Sequence, residues 1–210
     1  MRRRVARILL AAGTMLTAVA ATVGVATPAQ AAPFLAGLYT LNGTTHINST
    51  NSNLTLGPGS LLATLDLGTG DIVGNVTLPR STGTFQTLGF IPVTATVEFT
   101  EVGQTTGWSN PMGGATTTTT RLNIRLVSVT TVLGLPVLVG NHCQTKTPAV
   151  ITLNSEPGFT PIRGGVLNGT YTIPEFENCL LSTWLVNLLI PGSGNTISLT
   201  VGPRQIPPSS

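Results

Sequence analysis

Glu175 and Glu177, in the stretch "PEFEN", are the closest this sequence comes to a catalytic pair. Carboxylates two residues apart on a strand share one face, and paired carboxylates are the equipment of a glycosidase, one as acid and one as nucleophile or base. The same spacing also suits an exposed strand end. No aromatic-rich segment accompanies it, since the chain holds only two Trp and two Tyr. Asp66 and Asp71, in "DLGTGD", are the weak metal candidates: they could hold calcium at a hairpin tip, and a solvated turn is the competing reading. His142 stands beside Cys143, which raises a thiol nucleophile with an imidazole base. Neighbouring residues of a strand point to opposite faces, however, so adjacency alone does not orient the pair. His46 and His142 are the only histidines, and neither H-x-x-x-H nor C-x-x-C spacing supports zinc. Serine is plentiful without a G-x-S-x-G elbow, and "PGSGN" (191–195) reads as a turn. No G-x-x-x-x-G-K motif cradles phosphate. The sequence therefore assigns no catalytic residue and no cofactor, and it is read as a non-enzyme.

The ends of the chain bear on where such a protein works. Arg2, Arg3, Arg4 and Arg7 precede an apolar run over residues 8–26, and Ala29-Gln30-Ala31 supplies a small-x-small site. That is the pattern of a signal peptide, 1–31, cleaved after Ala31. The remainder of the chain is expected to be one β domain over 32–210, with 203–210 a disordered tail. Without the leader, six basic residues face seven acidic ones, a formal charge of −1. The high pI of the full chain belongs to the leader, and nothing basic remains to grip a phosphate backbone, so nucleic acid is not an expected partner. The longest apolar-rich run beyond the leader, "CLLSTWLVNLLI", is too short for a membrane span. A secreted, extracellular product is expected, possible partners being an envelope glycan, a lipid or a second copy. In an oxidising compartment the only two cysteines, Cys143 and Cys179, are expected to pair.

The elements that would position these residues read as strands. Thr fills 32 positions after the leader, and Thr and Val fit a pleated surface better than a helix. Period-two alternation marks strands at 60–67 and 71–79 around a Gly68-Thr69-Gly70 loop, and again at 92–99 and 121–126. In the strand 92–99, Val93, Ala95, Val97 and Phe99 share a face. Leu122, Ile124 and Leu126 do so in 121–126. Further strands are expected near 36–47, 82–88, 135–140, 148–153, 166–173 and 196–201. In 178–190, Leu181, Trp184, Leu185 and Leu188 fall at helical spacing, with Asn178 as a cap and Pro191-Gly192 as a stop. This predicts a short helix near 179–190 plugging one end of the sheets, two strands being the rival reading. The expected fold is all-β: an antiparallel sandwich or closed barrel of about 8–10 strands with one helix.

Two heptads, "LNGTTHI" (41–47) and "LNGTYTI" (167–173), are nearly identical. Their flanks do not align, so they read as a Gly-marked bend entering a strand and not as a duplication. The run "TTTTT" (116–120) could array hydroxyls on a sheet face. Asn42, Asn48, Asn53, Asn75 and Asn168 each begin an N-x-Ser/Thr triplet and are read as turn and strand residues.

The leader ending "ATPAQA", the hairpin "GPGSLLATLDLGTGDIVGNVTLP", and the stretches "GNHCQTKTPAVITL" and "LNGTYTIPEFENC" resemble a group of exported actinobacterial Thr/Gly-rich β-proteins without assigned function. The resemblance implies export and a β architecture and carries no activity. Three functions are then open. The first is a non-enzymatic β-sandwich that binds or assembles at or outside the cell envelope. The second is a carrier holding a lipid or other small apolar ligand in a barrel cavity. The third is a secreted glycoside hydrolase using Glu175 and Glu177.

Overall fold

The computed structural model describes residues 33–87, 91–110 and 113–206. The leader expected at 1–31 and the last residues of the tail, 207–210, lie outside the described residues. Ala32–Ser210 forms one compact unit. Its strands are β1 (Phe34–Ile47), β2 (Ser52–Asp66), β3 (Asp71–Thr77), β4 (Ser81–Thr87), β5 (Ile91–Glu101), β6 (Thr105–Ser109) and β7 (Thr116–Thr131). They continue with β8 (Pro136–Val137), β9 (Gln144–Thr145), β10 (Ala149–Ser155), β11 (Gly165–Ile173), β12 (Phe176–Glu177) and β13 (Gly192–Val201). One 3-10 turn, Leu180–Ser182, leads into the helix α1 (Thr183–Leu189).

The all-β expectation holds, and its barrel form is the one realised. Eight antiparallel strands close a ring in the order β7-β10-β11-β13-β1-β2-β3-β6 and back to β7. Closure leaves the ring without a bare edge. The long β7 serves two neighbourhoods. Its first half lies between β6 and β10, while its second half, from Leu122 to Thr131, pairs with β5, which in turn pairs with β4. The β5–β4 ribbon thus leaves the ring and covers the far half of the molecule, where β4 comes up against the start of β2. A Cβ on Gly83 of β4 would sit 2.9 Å from a Leu54 methyl.

Alternation sets what each strand buries. β13 turns Asn195, Ile197, Leu199 and Val201 inward, and β7 turns Leu122, Ile124 and Leu126 inward as their spacing predicts. The five consecutive threonines divide in the same way. Thr116, Thr118 and Thr120 are buried, and Thr117 and Thr119 face out to bond Asn154 and Thr152 across β10. A continuous hydroxyl face over 116–120 does not form, because a strand cannot show successive side chains on one side.

Several local expectations are revised. β2 begins at Ser52, well before the expected start at 60, and runs through Gly57-Pro58-Gly59. Its register against β1 shifts between Leu41 and Gly43, a bulge that Gly57 accommodates at φ 98°, where any Cβ would run into the Leu41 carbonyl. β6 was not evident in the sequence. Asn178 does not cap the helix: it sits at φ 60° outside it, and neither the 3-10 turn nor α1 has a capping side chain. Asn187 of α1 instead takes the backbone N–H of Phe176 and donates to its carbonyl, fastening the helix to β12. The tail expected to be disordered from residue 203 is fixed through 206. Gln205 exchanges backbone hydrogen bonds with Leu38, and Arg204 Nε donates to the Ala36 carbonyl.

Candidate functional site

The two halves of the barrel interior are filled differently. At the end bounded by β3, β6 and the loop carrying Phe159, the space left among Tyr39, Leu65, Phe159 and their neighbours is only about 50 Å³. Tyr39 closes it by donating to the Pro161 carbonyl at 2.8 Å. At the other end the side chains stop short of one another and leave a cavity of about 270 Å³. Its walls are the β5 face Val93–Phe99, the second half of β7, and the β1–β2 turn with Ile47, Thr50 and Leu54. Its roof is α1, which points Leu185, Val186 and Leu189 inward. The sequence marked the face of β5 and the helix. It could not mark the void between them, because a wall residue and a packed core residue are both simply apolar.

The wall is almost wholly hydrocarbon, so its few hydroxyls stand out. Tyr171 donates to Thr45 Oγ1 at 2.7 Å, and Thr45 donates in turn to the Thr196 carbonyl. Burial pushes the Tyr171 phenol pKa up, the Thr45 contact offsetting part of the rise, so this group stays protonated. Ser182 Oγ donates to the Leu138 carbonyl, and Thr131 Oγ1 accepts from the Leu135 N–H. Thr50 is different: it is 4% exposed, and its hydroxyl has no partner.

Two devices hold the roof in place. Cys143, just ahead of β9, and Cys179, just ahead of the 3-10 turn, form the expected disulfide, both fully buried. β9 then pairs with β12 across the same junction. The outer side of the roof is as apolar as its inner side. Leu180, Leu181, Trp184 and Leu188 are exposed, Leu181 at 92%. Leu138 lies beside them, tied through Ser182, and the β7–β8 hairpin adds Val132, Leu133 and Leu135. Exposed apolar side chains in such number are unusual on a water-facing surface.

The other sequence candidates lie elsewhere. Glu175 is exposed and paired with Lys146 at 2.8 Å, which holds its carboxyl below the usual range; Glu177 is on the short β12. Asp66 Oδ1 accepts from the Gly68 and Thr69 amides, and Asp71 accepts from Thr69 Oγ1, so both aspartates are committed to the β2–β3 turn. Among the described residues no three His, Cys, Asp or Glu side chains gather as a metal site. His142 is exposed ahead of Cys143, whose sulfur is in the disulfide. His46 faces outward and meets Asn53 Oδ1 at 3.0 Å. It lies in a shallow polar groove of about 620 Å³ on the outer barrel wall, with Thr44, Thr152, Asn168 and Ser198. No described helix is long and apolar enough to cross a membrane. No protein-family model matches the chain, and no curated protein or solved structure matches it either.

Proposed function

We propose that the protein is an exported carrier that holds a small apolar ligand in the cavity between β5, β7 and α1. The observation that carries this reading is the apolar void of about 270 Å³ under an apolar helix, in a barrel whose other end is filled. Ligand sites of this kind are concave, largely apolar and placed in the mouths of β-barrels. The exposed leucines and Trp184 outside the roof support it further, since a ligand insoluble in water is best exchanged where the carrier itself presents apolar surface. Export is supported by the leader pattern and the disulfide. A direct test is calorimetric titration with 1-chlorooctane, which has no hydrogen-bond donor. One molecule per chain should bind, and Ala95→Phe, which projects a ring into the void, should abolish binding while the melting temperature stays within a few degrees. Absence of saturable binding to the unaltered protein would refute the reading.

A second reading, adhesion at the envelope through the outer wall, draws on the polar groove around His46. A soluble envelope glycan that shifts the His46 ring resonances saturably would favour it over the carrier. Hydrolysis through Glu175 and Glu177 gains no comparable support, because Glu175 is engaged by Lys146 on an open surface.

A further inference from the structure

The cavity is not evenly enclosed, and the gradient of exposure along its wall marks its mouth. β5 and β7 face it together, and their register pairs Val97 with Leu126 and Val93 with Thr131. Val97 and Leu126 are 4% and 3% exposed, whereas Val93 and Thr131 are only half-buried. Ile91 precedes Val93 on β5, and Val129 of β7 pairs with Val137 of β8; these three wall residues are half-buried too. The cavity thus has a closed inner part and a mouth where β5 starts, β7 ends and β8 lies alongside. The closed part offers a ligand no polar partner. Tyr171 and Thr45 bond each other and the Thr196 carbonyl, and Thr50 Oγ1 has almost no accessible surface. Among the described residues no Lys, Arg, His, Asp or Glu lines the cavity. A charge carried inward would therefore shed its hydration without gaining a counter-charge. The segments that frame the mouth and roof, 86–97, 126–141 and 180–190, contain none of these five residue types either, so they favour neither sign of charge.

We infer that the ligand is a single-chain amphiphile bound tail first, its alkyl chain filling the cavity and its head group left in water at the mouth. This inference rests on the carrier reading above and adds the class and the orientation of the ligand. At roughly 30 Å³ for each water-sized group, the cavity of about 270 Å³ encloses about nine chain atoms. Each methylene moved from water onto that wall strengthens binding about fourfold until the space is full. A head group that keeps its water contributes little to the choice. Acids, alcohols and quaternary amines of one chain length are therefore bound alike.

Calorimetric titrations of the unaltered protein, each ligand kept below its micelle concentration, test the class. 1-Octanol, ionised octanoate and octyltrimethylammonium should bind within about fivefold of one another, the most that a solvent-exposed charge contributes. Along the n-alkanoates affinity should rise about fourfold per methylene up to about nine carbons, and by less than about twofold per methylene beyond. The octanoyl amide of a nitroxide-bearing amine tests the orientation by NMR. Its unpaired electron, on the head group, should broaden the Val93 and Val137 methyl resonances before those of Val97 and Leu126. Broadening in the reverse order overturns the tail-first orientation. So does a larger spread among the three head groups, since one of them would then be losing its water. A steady fourfold rise through dodecanoate overturns the filling of this cavity by the chain. If 1-chlorooctane binds and none of the amphiphiles does, this inference falls and the carrier reading stands; if 1-chlorooctane fails as well, both fall.

Discussion

Replacing both cysteines, as Cys143→Ala with Cys179→Ala, isolates what the cross-link contributes to a roof that has few other anchors. The bond closes a loop with a sequence separation of 36. Chain-entropy arithmetic for that length gives about 3.8 kcal/mol at 25 °C, through the states it removes from the unfolded chain. The two buried sulfurs add about 1 kcal/mol of lost packing, on the scale of small core deletions. The unit Ala32–Ser210 has 179 residues. At about 2.1 cal/mol/K per residue its unfolding entropy is roughly 0.38 kcal/mol/K, so a loss near 5 kcal/mol lowers the melting temperature by about 13 °C. Scanning calorimetry measures the fall, and urea titration should show a lower midpoint. Amide exchange should accelerate first over 180–189, since the disulfide anchors that segment at its start. A fall of less than about 3 °C would refute the reasoning, as would exchange that is no faster in α1 than in β13.

Asn195→Ala should cost about 2–4 kcal/mol by urea denaturation, because it strands buried groups on three segments at once. Asn195 is 1% exposed, accepts from the Asn48 amide, and donates to the Tyr171 and Gly192 carbonyls. Glu98 is held below the usual carboxylate range by hydrogen bonds from Arg125 and then Arg80, so its folded pKa lies under its unfolded one. Its contribution is therefore present above the unfolded value near about 4.3 and is lost as pH falls through the folded value. Glu98→Gln should cost less than about 1 kcal/mol at pH 7, since the pair is partly exposed. It should also shallow the decline of stability below about pH 4.3; an unchanged acid limb would count against the pairing.

What could be read from the sequence is uneven, and for physical reasons. The faces of β5 and β7 were legible because alternation is a local property, fixed by the pleat. The disulfide was legible because there were only two cysteines to pair. The first half of β2 was hidden by Gly57-Pro58-Gly59, which has the composition of a turn and the job of a bulge. The cap at Asn178 failed because the chain there turns left-handed to bring Cys179 to Cys143, so tertiary geometry overrode a local preference. Ring closure between β7 and β10 joins segments with no shared local signal. Thr50 sits in "NST", which reads as a surface turn, and only the folded β1–β2 turn buries it.

The two matching heptads acquire a meaning that neither has alone. They flank one strand: residues 41–46 pair with β13 on one side and 167–173 on the other. Each lies close to a neighbour through its glycine, where a Cβ on Gly43 would collide with the Ser198 carbonyl and one on Gly169 with the Thr152 carbonyl. Thr45 and Tyr171, the fifth residues of the two heptads, then join hydroxyls. β13 follows both of its partners in the sequence, so on the ribosome both are made before it. Until it emerges they have no strand between them, and the ring stays open however long synthesis pauses. Closure of the ring therefore waits for β13, whichever of the other strands have already paired.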